Sequence, residues 1–142
     1  MKFRIGALVL GLLLLAGGAD AAAQKIDMLD RLAVAQGSAK VDLAKGLVKV
    51  SATVLPLPAQ IDTGAGTFEA TLYRAYLTSS TDATVEVPLG AIYPPTSGKI
   101  KVNALLGKGD LSLLGLDRVV IVAFSKDGLS SFNVLTGTIP TE

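Results

Sequence analysis

Cysteine, histidine and tryptophan are all missing from this sequence of 142 residues, and phenylalanine and tyrosine supply the 5% that is aromatic. Without cysteine there is no disulfide framework, no thiolate nucleophile and no acylated cysteine at a lipoprotein junction. Without histidine, Ser-His-Asp and Cys-His catalysis, zinc sites of the usual nitrogen and sulfur type, and the common neutral-pH proton shuttle are excluded. Formal net charge is +1 and the basic residues are scattered along the chain, so charge offers no case for a polyanionic partner. The few aromatics make no stacking platform, and no nucleic-acid partner is expected. Half of the residues are hydrophobic, which argues against disorder.

The chemistries that survive these absences find weak support. Ser38 and Lys40, Ser97 and Lys99, and Ser125 and Lys126 are near neighbours in sequence. A Ser-Lys nucleophile needs a lysine desolvated enough to lose its proton. The first pair shares the exposed face of a strand, and the other two lie in turns. Asp62, Asp82, Asp110, Asp117 and Asp127 also fall in turns, where aspartate bonds its local backbone. Glu69 and Glu86 are isolated strand residues, whereas glycosidic chemistry needs two carboxylates facing across a cleft. No D-x-D-x-D-G loop is present for calcium; Asp110, Asp117 and Asp127 would have to meet at one end of the fold to hold it. Gly64-Ala65-Gly66 lacks the Gly-Lys that follows in a phosphate-binding loop. No catalytic residue, cofactor or metal ligand is assigned.

What is present begins with MKFRIGALVLGLLLLAGGADAAAQ. Lys2 and Arg4 form a positive n-region, Ile5 to Ala16 an apolar h-region, and small residues offer cleavage after Ala21 or Ala23. As a helix the apolar run covers roughly 20 Å, short of the roughly 30 Å of a hydrocarbon core. A cleaved export signal over residues 1–23, helical before cleavage, is expected, with a periplasmic or secreted product. Contact with a membrane is expected only if the signal stays uncleaved. Roughly 120 residues remain, enough to bury a core without disulfide staples.

Residues 24–37 are ambiguous: Ile26, Leu29 and Ala33 suit one helix face, while Leu32 and Val34 alternate. They are read as a lead-in arm to a domain over 38–142. From Ser38 the period is two. Ala39, Val41 and Leu43 pair through Ala44-Lys45-Gly46 with Val48, Val50, Ala52 and Val54 as a hairpin. Leu55-Pro56-Leu57-Pro58 interrupts pairing, and Asp62 to Gly66 is a loop. Further strands are expected at Phe68 to Thr78, Val85 to Leu89 (an edge, because of Pro88), Ile100 to Ala104, Arg118 to Phe124 and Ser131 to Ile139. RVVIVAF is apolar on both faces and reads as a central strand. Asp110 to Gly115 suits one capped helical turn. The expectation is an all-β fold, an antiparallel immunoglobulin-like β-sandwich of about seven strands, with a small closed barrel as the alternative.

Three segments in order resemble the extracytoplasmic C-terminal domain of anti-sigma-K-type factors. They are Leu55-Pro56-Leu57-Pro58 with Tyr73-Arg74-Ala75-Tyr76-Leu77, then Val87-Pro88-Leu89-Gly90, then Val119 to Gly128. Tyrosine stands where that family's Tyr-x-x-Trp-Leu pattern has tryptophan. The resemblance implies a small β-sandwich in an extracytoplasmic setting. It does not carry over sigma regulation, because the family's sigma-binding region and membrane helix have no counterpart among these residues.

FEATLYRAYL, residues 68–77, cannot keep one straight face buried: its first half is apolar on one side and its second half on the other. A β-bulge near Leu72 to Arg74 is expected, with Phe68, Leu72, Tyr73 and Leu77 inside. Arg74 and Tyr76 then lie outside beside Tyr93, either as a cover for the sheet or as a small recognition patch. The leading expectation is a non-enzymatic exported domain that binds or packs against another envelope or extracellular protein. Two alternatives stand beside it: an enzyme or enzyme accessory acting on extracellular polymer through loop carboxylates, and an envelope sensory module.

Overall fold

The computed structural model describes residues 23–94, 96–106 and 114–140. The expected export signal lies outside them except for Ala23, as does most of the helical turn expected after Asp110. The described residues form nine strands: β1 (Ala23–Leu29), β2 (Ala35–Asp42), β3 (Leu47–Thr53), β4 (Ala59–Asp62), β5 (Thr67–Thr78), β6 (Glu86–Ile92), β7 (Lys99–Leu105), β8 (Arg118–Ser125) and β9 (Ser131–Thr138). Every pairing is antiparallel. The expected all-β antiparallel fold is therefore present.

The strands make one continuous sheet in the order β4-β5-β8-β9-β1-β2-β3-β7, with β6 also on β5. β4 and β6 share one edge of β5, pairing with its first and second halves, while β8 takes the other edge. The sheet curls on itself as a half-barrel. Alternate side chains of both halves enter a single core: Met28, Val41, Val48 and Val50 from one half, Tyr73, Leu77, Val119 and Ile121 from the other.

Two strands exceed the number expected. Residues 24–37, read as a lead-in arm, supply β1 and the start of β2. Ile26 and Met28 point inward while Lys25 and Asp27 point out, a period of two that is too short to outcompete a helical reading of the same residues. β4 has only four residues and follows two prolines, so its alternation is below what a pattern can carry. β1 joins the halves of the sheet by pairing Leu29 with Thr136 of β9. Gly137 permits that approach: a Cβ there would sit 2.7 Å from the Met28 sulfur.

Other local expectations hold. Gly46 closes the β2–β3 turn with φ of 67°. β6 is an edge strand at Pro88, as proline's missing donor requires. β8 is buried on both faces between β5 and β9, with Val119, Val120, Ile121, Val122 and Ala123 all buried. β5 does switch faces, but its bulge against β8 falls between Ala70 and Leu72, slightly earlier than expected. Ala70, Tyr73, Ala75 and Leu77 are buried, whereas Phe68 and Leu72 are only half-buried.

Candidate functional site

A cleft of about 380 Å³ opens at one end of the curled sheet, between the β1–β2 turn, the segment after β3, and β4. Its apolar lining comes from Val54, Ile61, Tyr73, Phe132, Val134 and Leu135. Leu32 and Leu55 stand at its rim, 69% and 56% exposed. Two large apolar side chains held in water beside an apolar hollow are the kind of surface that a partner covers.

Each wall is built by local chemistry. Asp30 organises the β1–β2 turn: Oδ1 accepts the amides of Leu32 at 2.9 Å and Val34 at 3.0 Å, and Oδ2 accepts Gln36 Nε2 at 3.0 Å. These bonds, that from Val34 foremost, hold the Asp30 carboxyl below its ordinary range. Ala33 takes a positive φ of 63° in the same turn. The second wall is Leu55-Pro56-Leu57-Pro58, whose last bond is cis. Leu55 is fixed from beneath, because the Tyr73 hydroxyl donates to its carbonyl at 2.8 Å. Burial pushes the Tyr73 phenol up to about 12. The third wall ends at Asp62, whose Oδ1 accepts the Gly64 amide at 2.8 Å.

Arg31 and Asp62 close the rim. Arg31 Nη2 donates to Asp62 Oδ2 at 3.3 Å, joining the β1–β2 turn to the end of β4. Both groups are substantially exposed, so this ion pair contributes little to stability. The arrangement gives an apolar pocket with charged and amide groups on its margin. It is suited to holding an apolar group by burial, and its carboxylates already serve backbone donors or Arg31.

The loop aspartates do not converge. Asp117 and Asp127 lie beyond opposite ends of β8. Asp117 accepts the Ser80 amide and hydroxyl, Asp127 the Ser125 hydroxyl, and Asp82 the Thr84 hydroxyl. Those hydroxyl bonds are the main reason all three carboxyls sit below their ordinary range. Asp110 is outside the described residues. Among the described residues no group of three or more acidic side chains gathers where it would hold a metal ion, and no helix is long and apolar enough to cross a membrane.

Arg74 and Tyr76 lie away from this cleft, on the outer face of the β5–β6 pair, while Tyr93 lines the hollow between β6 and β7. Arg74 stands opposite Ala91 and Tyr76 opposite Pro88, with Tyr93 just past the end of β6 and 73% exposed. On the other side Arg74 and Tyr76 flank Val122 and Val120 of β8. Both valines are buried, Tyr76 is half-buried and Arg74 is exposed. Sequence reasoning missed the cleft. Its leucines fall at Leu32, in the segment read as an arm, and at Leu55, in the segment read only as a break in pairing.

Comparison with protein-family models, with curated proteins and with solved structures finds no match for this chain.

Proposed function

We propose that this chain is an exported, non-enzymatic binding domain, periplasmic or secreted, that holds an apolar group of another envelope or extracellular protein in the cleft beside Leu32 and Leu55. The observation that carries the reading is the pairing of an apolar hollow with leucines left exposed at its mouth. The leader pattern at the N-terminus supports export. We further propose that the two halves of the sheet correspond to the layers of an immunoglobulin-like sandwich, as in the domain of anti-sigma-K-type factors. The single core shared by both halves supports that likeness. Arg74, Tyr76 and Tyr93 are a second, smaller candidate surface on β5 and β6.

Nile red, a neutral apolar dye, tests the cleft. Saturable binding with enhanced emission is expected, and Leu55→Asp should weaken it at least tenfold. Leu55 is exposed, so the thermal midpoint should stay close to that of the parent. Equal dye affinity in Leu55→Asp and parent would reject the site. Chemical cross-linking from Leu55→Cys in the exported fraction then identifies the protein that occupies it.

A further inference from the structure

Strand register collects lysines that are far apart in the sequence. Lys25 of β1 stands directly opposite Lys40 of β2, and Lys40 directly opposite Lys49 of β3. Lys49 faces Asn103 of β7, and two further rows bring Ser51 opposite Lys101 and Thr53 opposite Lys99. All five lysines are exposed on the outer face, since the residues alternating with them, such as Ile26, Ala39, Val48, Val50, Ile100 and Val102, are buried. Among the described residues the only ion pair is Arg31–Asp62, so no described carboxylate lies within bonding distance of any of the five. Asp27 is the one exposed acid on this face; Asp42 is buried at its end and accepts the Lys45 amide.

From this register we infer that the lysine-bearing face of β1, β2, β3 and β7 is a docking surface for an anionic lipid bilayer. Like charges directly opposite each other on neighbouring strands oppose folding. The serines, threonine and asparagine between them would keep the face soluble without that cost. The shape of the array selects the partner. Four strands span about 14 Å across, and the rows from Lys49 to Lys99 about 13 Å along the strands. The charges thus occupy two dimensions, and the hollow of about 360 Å³ beside them, between β6 and β7, reaches only Lys99 and Lys101 at the edge of the array. Arginine, which would recognise phosphate or sulfate through a paired fork, is absent from the face. Tyrosine, phenylalanine and tryptophan are absent from these four strands, and the aromatic beside the array is Tyr93 in the hollow at its edge, away from Lys25, Lys40 and Lys49. Point charges on long stems fit a plane of mobile anionic headgroups, at a strength that depends on screening over about 8 Å at physiological salt.

The test is sedimentation of the full chain with vesicles of phosphatidylcholine alone and with 30% phosphatidylglycerol. Binding to the neutral vesicles measures what the apolar N-terminal segment contributes, and the variants below divide the increment from phosphatidylglycerol between the lysine face and Lys2 and Arg4 of that segment. Each lysine near such a surface is worth roughly fivefold, so Lys40→Ser with Lys49→Ser should reduce the increment roughly twentyfold. Arg118→Ser with Lys126→Ser removes the same charge elsewhere and should change it less than threefold. Raising salt from 50 to 500 mM should abolish the increment. Equal losses in the two double variants, or no increment at all, would overturn the inference. So would lysine-dependent binding of soluble dextran sulfate without vesicle binding, or salt-sensitive self-association lost in the Lys40→Ser, Lys49→Ser variant.

Discussion

Tyr73 is the largest of the fully buried side chains, and its one polar atom links the core to the cleft wall through the Leu55 carbonyl. Tyr73→Phe keeps the ring and removes the donor, so it should cost about 1 kcal/mol by urea denaturation at neutral pH. Its ionisation has a sign. The phenol titrates at about 12 in the folded chain against about 10 when unfolded, so the neutral form is the one that folding favours. The associated stability is intact below pH 10 and is lost as pH rises toward 12. Unfolding midpoints from pH 9 to 12 should therefore fall more steeply in the parent than in Tyr73→Phe. Parallel curves would contradict the assignment. Tyr73 was legible as an inward residue from the failure of FEATLYRAYL to hold one face. Its acceptor was not, because a backbone carbonyl 18 residues away has no signature in side-chain pattern.

Within elements, what the sequence makes plain is alternation, and what it conceals is the neighbour. β3 and β7 alternate cleanly and were readable. β8 announced its central place by being apolar on both faces. β5 shows the limit: the need for a bulge follows from its own residues, but its position, between Ala70 and Leu72, depends on how β8 pairs with it. The same dependence decides what Arg74 and Tyr76 do. Tyr76→Ala uncovers Val120 and should destabilise by about 1–2 kcal/mol, while Arg74→Ala should cost less than about 0.5 kcal/mol. A neutral Tyr76→Ala in chemical denaturation would show that its ring does not cover the sheet. The lysine rows make the opposite prediction. Lys40 has a lysine on each side, so Lys40→Ser should stabilise by about 0.5 kcal/mol, raising the thermal midpoint by about 2 °C at low salt and less at high salt. A lower midpoint would mean that the lysine stems stabilise the sheet by packing more than their charges oppose it.

At the scale of the whole molecule the sheet curls without closing, and a gap of about 360 Å³ separates β6 from β7. Long-range pairing such as β1 with β9 is invisible to local pattern, which is why the sequence supports strands and facing layers but not one continuous half-barrel. The phase of the β3–β7 ladder is set by Val54 N donating to the Gly98 carbonyl and Leu106 N to the Gly46 carbonyl, each at 2.8 Å. It follows that Ile100, Val102 and Ala104 bond to β3, while the amides and carbonyls of Lys99, Lys101 and Asn103 face the gap. Among the described residues neither edge of the gap has a strand partner, so each is a template for another chain unless something spoils it. On β6 that is Pro88, the bulge at Leu89 and Gly90 with φ of 131°. On β7 it is the charge of Lys99 and Lys101. Restoring a regular, uncharged edge by Pro88→Val with Lys99→Thr and Lys101→Thr should therefore leave the monomer folded but make it associate. Sedimentation velocity across a concentration series should show dimers and larger species in the triple variant, with the parent monomeric under the same conditions. Lys40→Thr with Lys49→Thr removes equal charge from inside the sheet and should stay monomeric, which separates an unprotected edge from a mere loss of repulsion. A triple variant that remains monomeric at every concentration would mean that the curl of the sheet alone keeps these edges from pairing.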